Sequence, residues 1–528
     1  MLKVSVIVPV YNPGRHIDDC IASLLGQTLP RDQYEVILVD DGSTDGTGAR
    51  LDELGAMQLN VRIEHIRNSG WPGKPRNVGL DMAEGEFVYF VDNDDRIERD
   101  ALERLYRTAL HEDADIVIGK VVGVGRGVPR KIFERNRSGV GLDWPPLLSL
   151  LTPHKLFRRH FVERHGIRFP DEPRRLEDHY FVMHAYLHEP RIAVLAEAPV
   201  YYWVHHGGTD NASATFEPVK YFEDMRGVLD IVEAHMEPGP EREQLLMHWY
   251  RGKMLGRVGG PGYPKRDYDF RGELLTEVRN VAKERYGPWV DEYLPLNRRV
   301  RSHVMLDGDR DEVERLAGFE EQVHARVWLR ELKPHLGDLR LRFTGALRTS
   351  AGGLHFEPRG DRVYWAPPES LWLRVDEETL DVTDEIAEAS AEVFLRSLDN
   401  DGVEYLAPGH VRARIAPFAA TSDYVRVVVD GDMRLTAVTG AAGARLPPGE
   451  WDVRIRVTVA GFGATARLRR EKNGDPLVVV SDDSGRLFER PDPDAAPPPP
   501  PPSSNGRARF RRAAAAARAR IASAAARR

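Results

Sequence analysis

Only one cysteine, Cys20, occurs in the 528 residues. An internal disulfide framework and a cysteine-based zinc site are therefore excluded. Cys20 falls among Ile17, Ile21, Leu24 and Leu25 at helical spacing, which predicts a core thiol rather than a nucleophile. No apolar run approaches the length of a membrane span, and Met1–Val8 is too short and strand-like for a secretory signal. These absences point to a cytosolic protein. Acid is missing from the C-terminal end: Asn505–Arg528 holds eight arginines and neither Asp nor Glu. Removing those eight charges from the formal net charge of −8 leaves −16 on the remainder, which argues against nucleic-acid binding by the folded part.

What is present alternates at first between strand and helix. Val4–Val10, Tyr34–Val39, Val61–Ile66 and Phe87–Val91 read as buried strands. His16–Leu25 and Arg76–Ala83 read as helices, with Trp71–Pro75 as a loop. Parallel βαβ units and a doubly wound sheet follow, so the fold class is α/β, with ligands expected beyond the carboxyl ends of the strands. Asp40, Asp41, Asn68, Asp92 and Asp94 all follow strands. Ser43 or Thr44 is placed to cap the helix after the second strand. In Phe87–Asp95, an extended chain would project Asp92 and Asp94 to one side, where two carboxylates suit a hard cation such as Mg²⁺ or Mn²⁺. An acidic turn that merely ends a strand is the competing reading, and Asp95 reads as a solvated neighbour.

Four ordered motifs decide the matter. Val4–Asn12 (VSVIVPVYN), Val39–Asp45 (VDDGSTD), Arg76–Leu80 (RNVGL) and Phe90–Asp95 (FVDNDD) resemble the family 2 glycosyltransferases with the GT-A fold, over about residues 1–210. The resemblance implies a nucleotide-sugar site with base and ribose near Pro9, Tyr11, Asp40 and Asp41, and Asn68 close by. It implies an Asp-x-Asp metal motif at Asp92-Asn93-Asp94. A UDP-sugar brings a diphosphate that cannot sit beside these carboxylates without Mn²⁺ or Mg²⁺. Lys74, Arg76 and, more weakly, Arg126 are candidate cations for the diphosphate. Glu177 and Asp178 open a helix, where acids favour the dipole in any case. In the family a Glu-Asp pair stands here, which implies Asp178 as the base of an inverting displacement and Glu177 as its orienting partner. His205 and His206 precede a Gly-Gly turn and are candidates for the metal or diphosphate. Adjacent side chains diverge, so one of the two faces a site, and the sequence leaves open which.

The rest of the chain divides by pattern. Residues 1–215 form the expected catalytic domain. Residues 216–340 carry helical spacing (Val219–Val232, Glu241–Arg257, Leu274–Tyr286), with Trp249 and Tyr250 as core. Residues 341–489 carry short alternating strands and predict a β-sandwich, for oligomerisation or for glycan binding through Trp365, Trp372 or Trp451. Residues 490–504 read as a disordered, extended Pro-rich linker and 505–528 as a basic tail suited to an anionic membrane surface at the inner face of the cell. This order is similar to the wall-teichoic-acid transferases that add N-acetylglucosamine to poly(ribitol phosphate), whose β region supports trimers. The expected partners are a UDP-sugar, a polymeric polyol-phosphate or glycan acceptor, and copies of the same chain. The rival expectations are a family 2 transferase for capsule, exopolysaccharide or lipid-linked acceptors, and a non-catalytic carbohydrate-binding scaffold.

Overall fold

The computed structural model describes the chain except residues 1, 207–215, 351, 401, 408, 419–422, 437–444, 470–474, 483–485 and 491–528. The basic tail and all but Arg490 of the Pro-rich linker therefore lie outside the described residues.

Nine strands build the first sheet: β1 (Val4–Val10), β2 (Tyr34–Asp40), β3 (Val61–His65), β4 (Phe87–Phe90), β5 (Arg96–Ile97), β6 (Ile116–Val124), β7 (Arg137–Val140), β8 (Leu156–Arg158) and β9 (Ile192–Val204). Their order is β3-β2-β1-β4-β8-β6-β9-β5, with β7 beside β9. The β3-β2-β1-β4 half is parallel, as the alternation predicts. β1 and β2 are buried at every residue, which is why both read as unbroken apolar runs rather than alternating ones. After β3 the chain returns to the other side of β1 to lay down β4, so strand order reverses between β1 and β4. Such a switch point leaves a crevice at the carboxyl ends of the strands. Val10 pairs with Asp40, and Val91 donates its N–H to Ile7. Tyr11, Asp41 and Asp92 therefore emerge at one edge.

β8 then enters antiparallel between β4 and β6. β9 runs on through Tyr201, Tyr202 and Trp203. Its pairing with β6 slips at Pro199, where a missing N–H breaks the ladder and the strand resumes.

Helices α1 (Ile17–Leu25), α2 (Thr47–Met57), α3 (Gly73–Met82), α4 (Ala101–His111), α5 (Arg159–Arg164) and α6 (Glu177–Leu187) flank the sheet. Cys20 is fully buried on α1, as expected. α3 begins at Gly73, inside the expected loop, because Pro75 lies in the first turn, where a helix tolerates its missing N–H. Neither Ser43 nor Thr44 caps α2, whose N-cap is Gly46 at φ +88°. Asn12 holds that loop instead: its Oδ1 accepts the Thr44 N–H at 2.7 Å, and its own N–H donates to Ser43 Oγ at 3.0 Å.

An aromatic cluster fixes α6 beneath the crevice. Phe181 stacks on Phe169 at 4.1 Å and meets Phe90 edge-on at 5.4 Å and Phe157 at 5.3 Å. Each such pair contributes about 0.5–1.5 kcal/mol beyond its burial. The end of β4 and the start of α6 are thus held in register with each other.

Helices α7 (Pro218–His235), α8 (Pro240–Trp249), α9 (Tyr268–Arg285), α10 (Leu296–Asp307) and α11 (Arg310–Gln322) follow, with a π-helical stretch Tyr250–Leu255 after α8. Trp249 and Tyr250 are core. The helical run ends at Gln322 and strand begins at His324, earlier than the boundary at 341. The charged alternation of His324–His335 concealed a strand whose neighbour, Asp338–Thr349, carries the buried face.

Two antiparallel sheets complete the described chain, of seven and six strands. They approach closely at Gly345, where a Cβ would lie 2.9 Å from Val457 of the other sheet. Trp365 and Trp451 are buried, whereas Trp372 is 77% exposed. This region also docks on the first sheet: Lys120 of β6 donates to the Glu404 carbonyl at 3.0 Å and Arg130 pairs with the Glu404 carboxylate at 3.0 Å.

Candidate active site

The crevice at the β1/β4 switch collects most of the residues singled out in the sequence. Asp40 ends β2 and Asp41 follows it, both buried. Asp40 accepts from Ser43 N–H and pairs with His65 at 2.9 Å, contacts that hold its carboxyl below the ordinary range against the opposing effect of burial. Asp41 accepts from the backbone and hydroxyl of Ser69 at 2.8 and 2.9 Å, and burial pushes it up. Asn68 donates to the Asp41 carbonyl at 2.9 Å. Pro9 is buried within β1, while Tyr11 beside it is half exposed. Lys74 is exposed on the first turn of α3, and its charge acts on Asp41.

The acidic motif is not the extended ladder expected. β4 ends at Phe90 and the chain turns, with Asp95 N–H donating to the Asp92 carbonyl at 3.1 Å. Each carboxylate consequently meets a different environment. Asp92 Oδ1 accepts from Arg76 at 2.8 Å and Oδ2 meets His154 Nε2 at 3.0 Å. Burial opposes its charge, yet the contacts with His154 and Arg76 hold its carboxyl far below the ordinary range. Asp94 makes no ion pair among the described residues, and burial together with the Asp92 charge pushes it up. Asn93 is half-buried between them. Asp95 is not a solvated neighbour. It is buried, accepting from Tyr201 Oη at 2.5 Å and from Val204 N–H at 2.7 Å, because β9 returns its far end to this turn.

Arg76 is not an open loop cation either. Its guanidinium is 4% exposed and bridges Asp92 to Glu177, the latter at 3.0 Å. Two carboxylates from distant segments thus share one buried positive charge.

Glu177 and Asp178 form the first turn of α6 directly after Leu176, whose φ of +61° is rare for a residue with a Cβ. Such a conformation costs about 1–3 kcal/mol and persists where its surroundings impose it. Burial and then the Asp178 charge raise Glu177 to about 6, against the pull of Arg76. Asp178 is also raised by burial, although Lys253 acts against this and its Oδ1 accepts the His179 N–H at 2.8 Å. A carboxylate with an elevated affinity for protons is suited to general-base work.

His206 and His205 separate in the structure. His206 Nε2 lies 2.7 Å from the Asp94 carbonyl, and its ring is 4.1 Å from that of His16. The exposed His205 is held by its backbone, which donates to the Val124 carbonyl. Arg126 lies 3.3 Å over the Trp203 ring and feels the charges of Asp95, Asp94 and Asp92.

Sequence reasoning missed three residues. His154 is buried, stacks on Tyr201 at 4.2 Å and keeps an Nδ1 without a hydrogen-bond partner among the described residues. Lys155 beside it is fully buried and brought down to about 7 by burial, with the Asp178 charge opposing. Lys253 reaches the field of Asp178 from the π-helical stretch, a distortion often found at functional sites. No local motif marks any of the three.

The acidic cluster fits a hard divalent cation. Asp94 is a half-buried carboxylate without an ion-pair partner among the described residues, and three carboxylates crowd one turn. Asp92, Asp95 and His154 also bring potential ligand atoms within 4.8 Å of one another.

A parallel half-sheet with this switch point, its carboxylates and an acidic pair opening a helix below defines a GT-A architecture. Residues 5–169 match the glycosyl transferase family 2 description, and 218–317 match the glycosyl transferase TarS linker domain. The chain belongs to glycosyl transferase family 2. It is 38% identical over 263 residues to the poly(ribitol-phosphate) beta-N-acetylglucosaminyltransferase TarS of Staphylococcus aureus, covering 49% of this chain and 46% of that protein. It is 37% identical over 235 residues to a poly(ribitol-phosphate) beta-glucosyltransferase of Bacillus spizizenii, covering 44% and 37%. The chain thus spans less than half the length of these relatives. A crystal structure of S. aureus TarS 1–349 in complex with UDP-GlcNAc superposes with a TM-score of 0.54 at 30% identity, over 64% of this chain and 96% of that one. A longer TarS structure gives 0.52 at 22% identity over 92% and 85%, which extends the likeness of fold alone into the C-terminal sheets.

Proposed function

We propose that the chain transfers a sugar from a UDP-sugar, N-acetylglucosamine in the first instance, to a hydroxyl of a polyol-phosphate polymer with inversion at the anomeric carbon. The observation that carries this reading is the Arg76 bridge, which joins the Asp92 cluster and the Glu177–Asp178 pair into one constellation. The relatives named above support both donor and acceptor. The name of the B. spizizenii relative makes UDP-glucose the second donor to test.

In this mechanism Pro9, Tyr11, Asp41 and Asn68 receive the nucleoside. Lys74, itself exposed on the first turn of α3, and Arg126 supply positive charge for the diphosphate. Asp178 takes the proton from the acceptor hydroxyl as its oxygen bonds to the anomeric carbon and the bond to the diphosphate oxygen breaks. Glu177, tied to Arg76, orients the base. Asp94 and Asp92 would hold Mn²⁺ or Mg²⁺, with His206, whose Nε2 meets the Asp94 carbonyl, offering Nδ1 as a further donor, and such an ion would stabilise charge on the leaving diphosphate.

The sheets from residue 324 onward are proposed to assemble copies of the chain, as a trimer, and the basic tail to hold the protein at an anionic membrane surface. No described helix is long and apolar enough to cross a membrane. Light scattering on the full chain and vesicle binding with and without residues 505–528 test these two points.

The central test is UDP release from UDP-N-acetylglucosamine and UDP-glucose, with and without poly(ribitol phosphate). Release stimulated by the polymer is the expected result. Release that ignores the polymer but responds to a capsule or lipid-linked acceptor would transfer the reading to that class.

A further inference from the structure

α6 carries His184, and His188 follows four residues on at the helix's C-cap, so both imidazoles lie on one side of that helix end. The last turn of α7 packs on that face and adds His235. Ring centroids within this trio are 5.1 to 5.6 Å apart, and one ring nitrogen from each lies within 4.8 Å of those of the other two. His165, at the end of α5, stacks on His188 at 4.2 Å. His184 and His188 follow Asp178 by six and ten residues, roughly 9–15 Å at the helical rise. Nothing in the proposed transfer uses the trio.

Two hydrogen-bonding details distinguish this cluster from a chance meeting of polar side chains. His235 Nδ1 lies 2.8 Å from the Ile231 carbonyl. A carbonyl only accepts, so the proton resides on Nδ1 and Nε2 keeps its lone pair. Metal-ligating histidines are commonly oriented in this way by a backbone carbonyl. His188 Nε2, in turn, is buried and has no hydrogen-bond partner among the described residues. A buried polar atom left unsatisfied costs about 1–3 kcal/mol, and a ligand would relieve that cost.

We propose that His184, His188 and His235 bind a zinc-type divalent ion, with water in the remaining position. Metal–nitrogen bonds of 2.0–2.1 Å in a tetrahedral site need nitrogens about 3.3 Å apart, which side-chain rotation of roughly 1–1.5 Å would supply. The all-nitrogen set excludes Mg²⁺ and Ca²⁺, which take oxygen ligands, and favours Zn²⁺, Co²⁺, Ni²⁺ or Cu²⁺. This ion is chemically separate from the one suited to the carboxylates of the crevice. Its effect is mechanical: it clips α7, the first helix beyond the sheet, to the helix that presents Glu177 and Asp178.

The test uses the full chain, stripped with EDTA, desalted and titrated with Zn²⁺ in millimolar Mg²⁺, with bound zinc measured by mass spectrometry after gel filtration. One zinc per chain, at least tenfold weaker retention in His235→Gln and His188→Gln, and unchanged retention in Asp94→Asn are expected. A zinc-dependent rise in thermal midpoint should accompany binding in the parent and be absent from His235→Gln. Equal retention in the parent and His235→Gln would overturn the proposal, as would retention lost only in Asp94→Asn. His235 is exposed, so that variant is the one expected to fold normally. Should His188→Gln fail to fold, Co²⁺ replacement in the parent provides the second reading. Intense visible bands of four-coordinate cobalt support the site, and the weak spectrum of six-coordinate cobalt refutes it.

Discussion

Arg76 and Asp92 form a 2.8 Å salt bridge where the first turn of α3 passes the end of β4. The same guanidinium reaches Glu177 at 3.0 Å. Substitution to alanine would strand two carboxylates beside the remaining acids of the turn. Breaking one side of a buried ion pair typically costs about 3–5 kcal/mol. Arg76→Ala should therefore lose that amount in urea unfolding. Arg76→Lys should fall between, since an ammonium keeps the charge but cannot fork to both partners. A loss below about 1 kcal/mol in the alanine variant would show that the bridge does not hold the site together.

Asp178→Asn removes the proposed base while keeping shape and burial. General-base loss typically costs a factor of about 10² to 10⁴ in rate. The expected result is a fall of that order in kcat for polymer-stimulated UDP release, with KM for the UDP-sugar little changed. Thermal stability should hold or rise, because burial already disfavours the charged carboxylate. Retained turnover in this variant would require a different base.

Glu177 gives a pH dependence with a definite sign. Burial raises its folded pKa to about 6, above the ordinary carboxylate value. Between those two values the folded chain binds a proton that the unfolded chain does not. The stabilising contribution is complete at lower pH and is lost as pH rises through about 6, amounting to about 2 kcal/mol. Glu177→Gln should therefore gain on the parent by that amount between pH 4.5 and pH 7 in urea unfolding. A difference that stays level with pH would exclude the raised value. In turnover, an acid limb with its midpoint near pH 6 is expected in the parent.

How far the sequence could be read depended on how local each feature was. β1 to β4 and the four motifs were legible because buried parallel strands are continuous apolar runs and their polar ends follow directly. His154 was not, because it reaches Asp92 through β8, a three-residue strand inserted antiparallel into the sheet. Asp95 was misjudged for the same reason: its partners, Tyr201 and Val204, lie about a hundred residues away. The spacing of Asp92 and Asp94 suggested an extended pair, but the turn after Phe90 brings one carboxylate to Arg76 and His154 and leaves the other without an ion pair among the described residues. Farther along, Trp365 and Trp451, offered by the sequence for stacking on a glycan, are buried, whereas exposed Trp372 follows from a local turn with φ of +42° that no pattern announces.

The inequality between Asp92 and Asp94 determines how metal removal should act. Asp92 is held by Arg76 and His154, so its position does not depend on an added ion. Asp94 is half-buried with no such partner among the described residues, and partial burial and the Asp92 charge both penalise its ionised form. A divalent cation relieves Asp94 most. EDTA should abolish UDP release, and Mn²⁺ or Mg²⁺ should restore it. Asp94→Asn should raise the metal concentration for half-maximal activity at least tenfold, while leaving folding stability within about 1 kcal/mol. His206 touches the Asp94 carbonyl and His205 does not, so His206→Ala should shift the same midpoint several-fold and His205→Ala should leave it unchanged. Equal shifts in the two histidine variants would remove His206 from the site. Full turnover in EDTA would remove the metal role of the whole cluster.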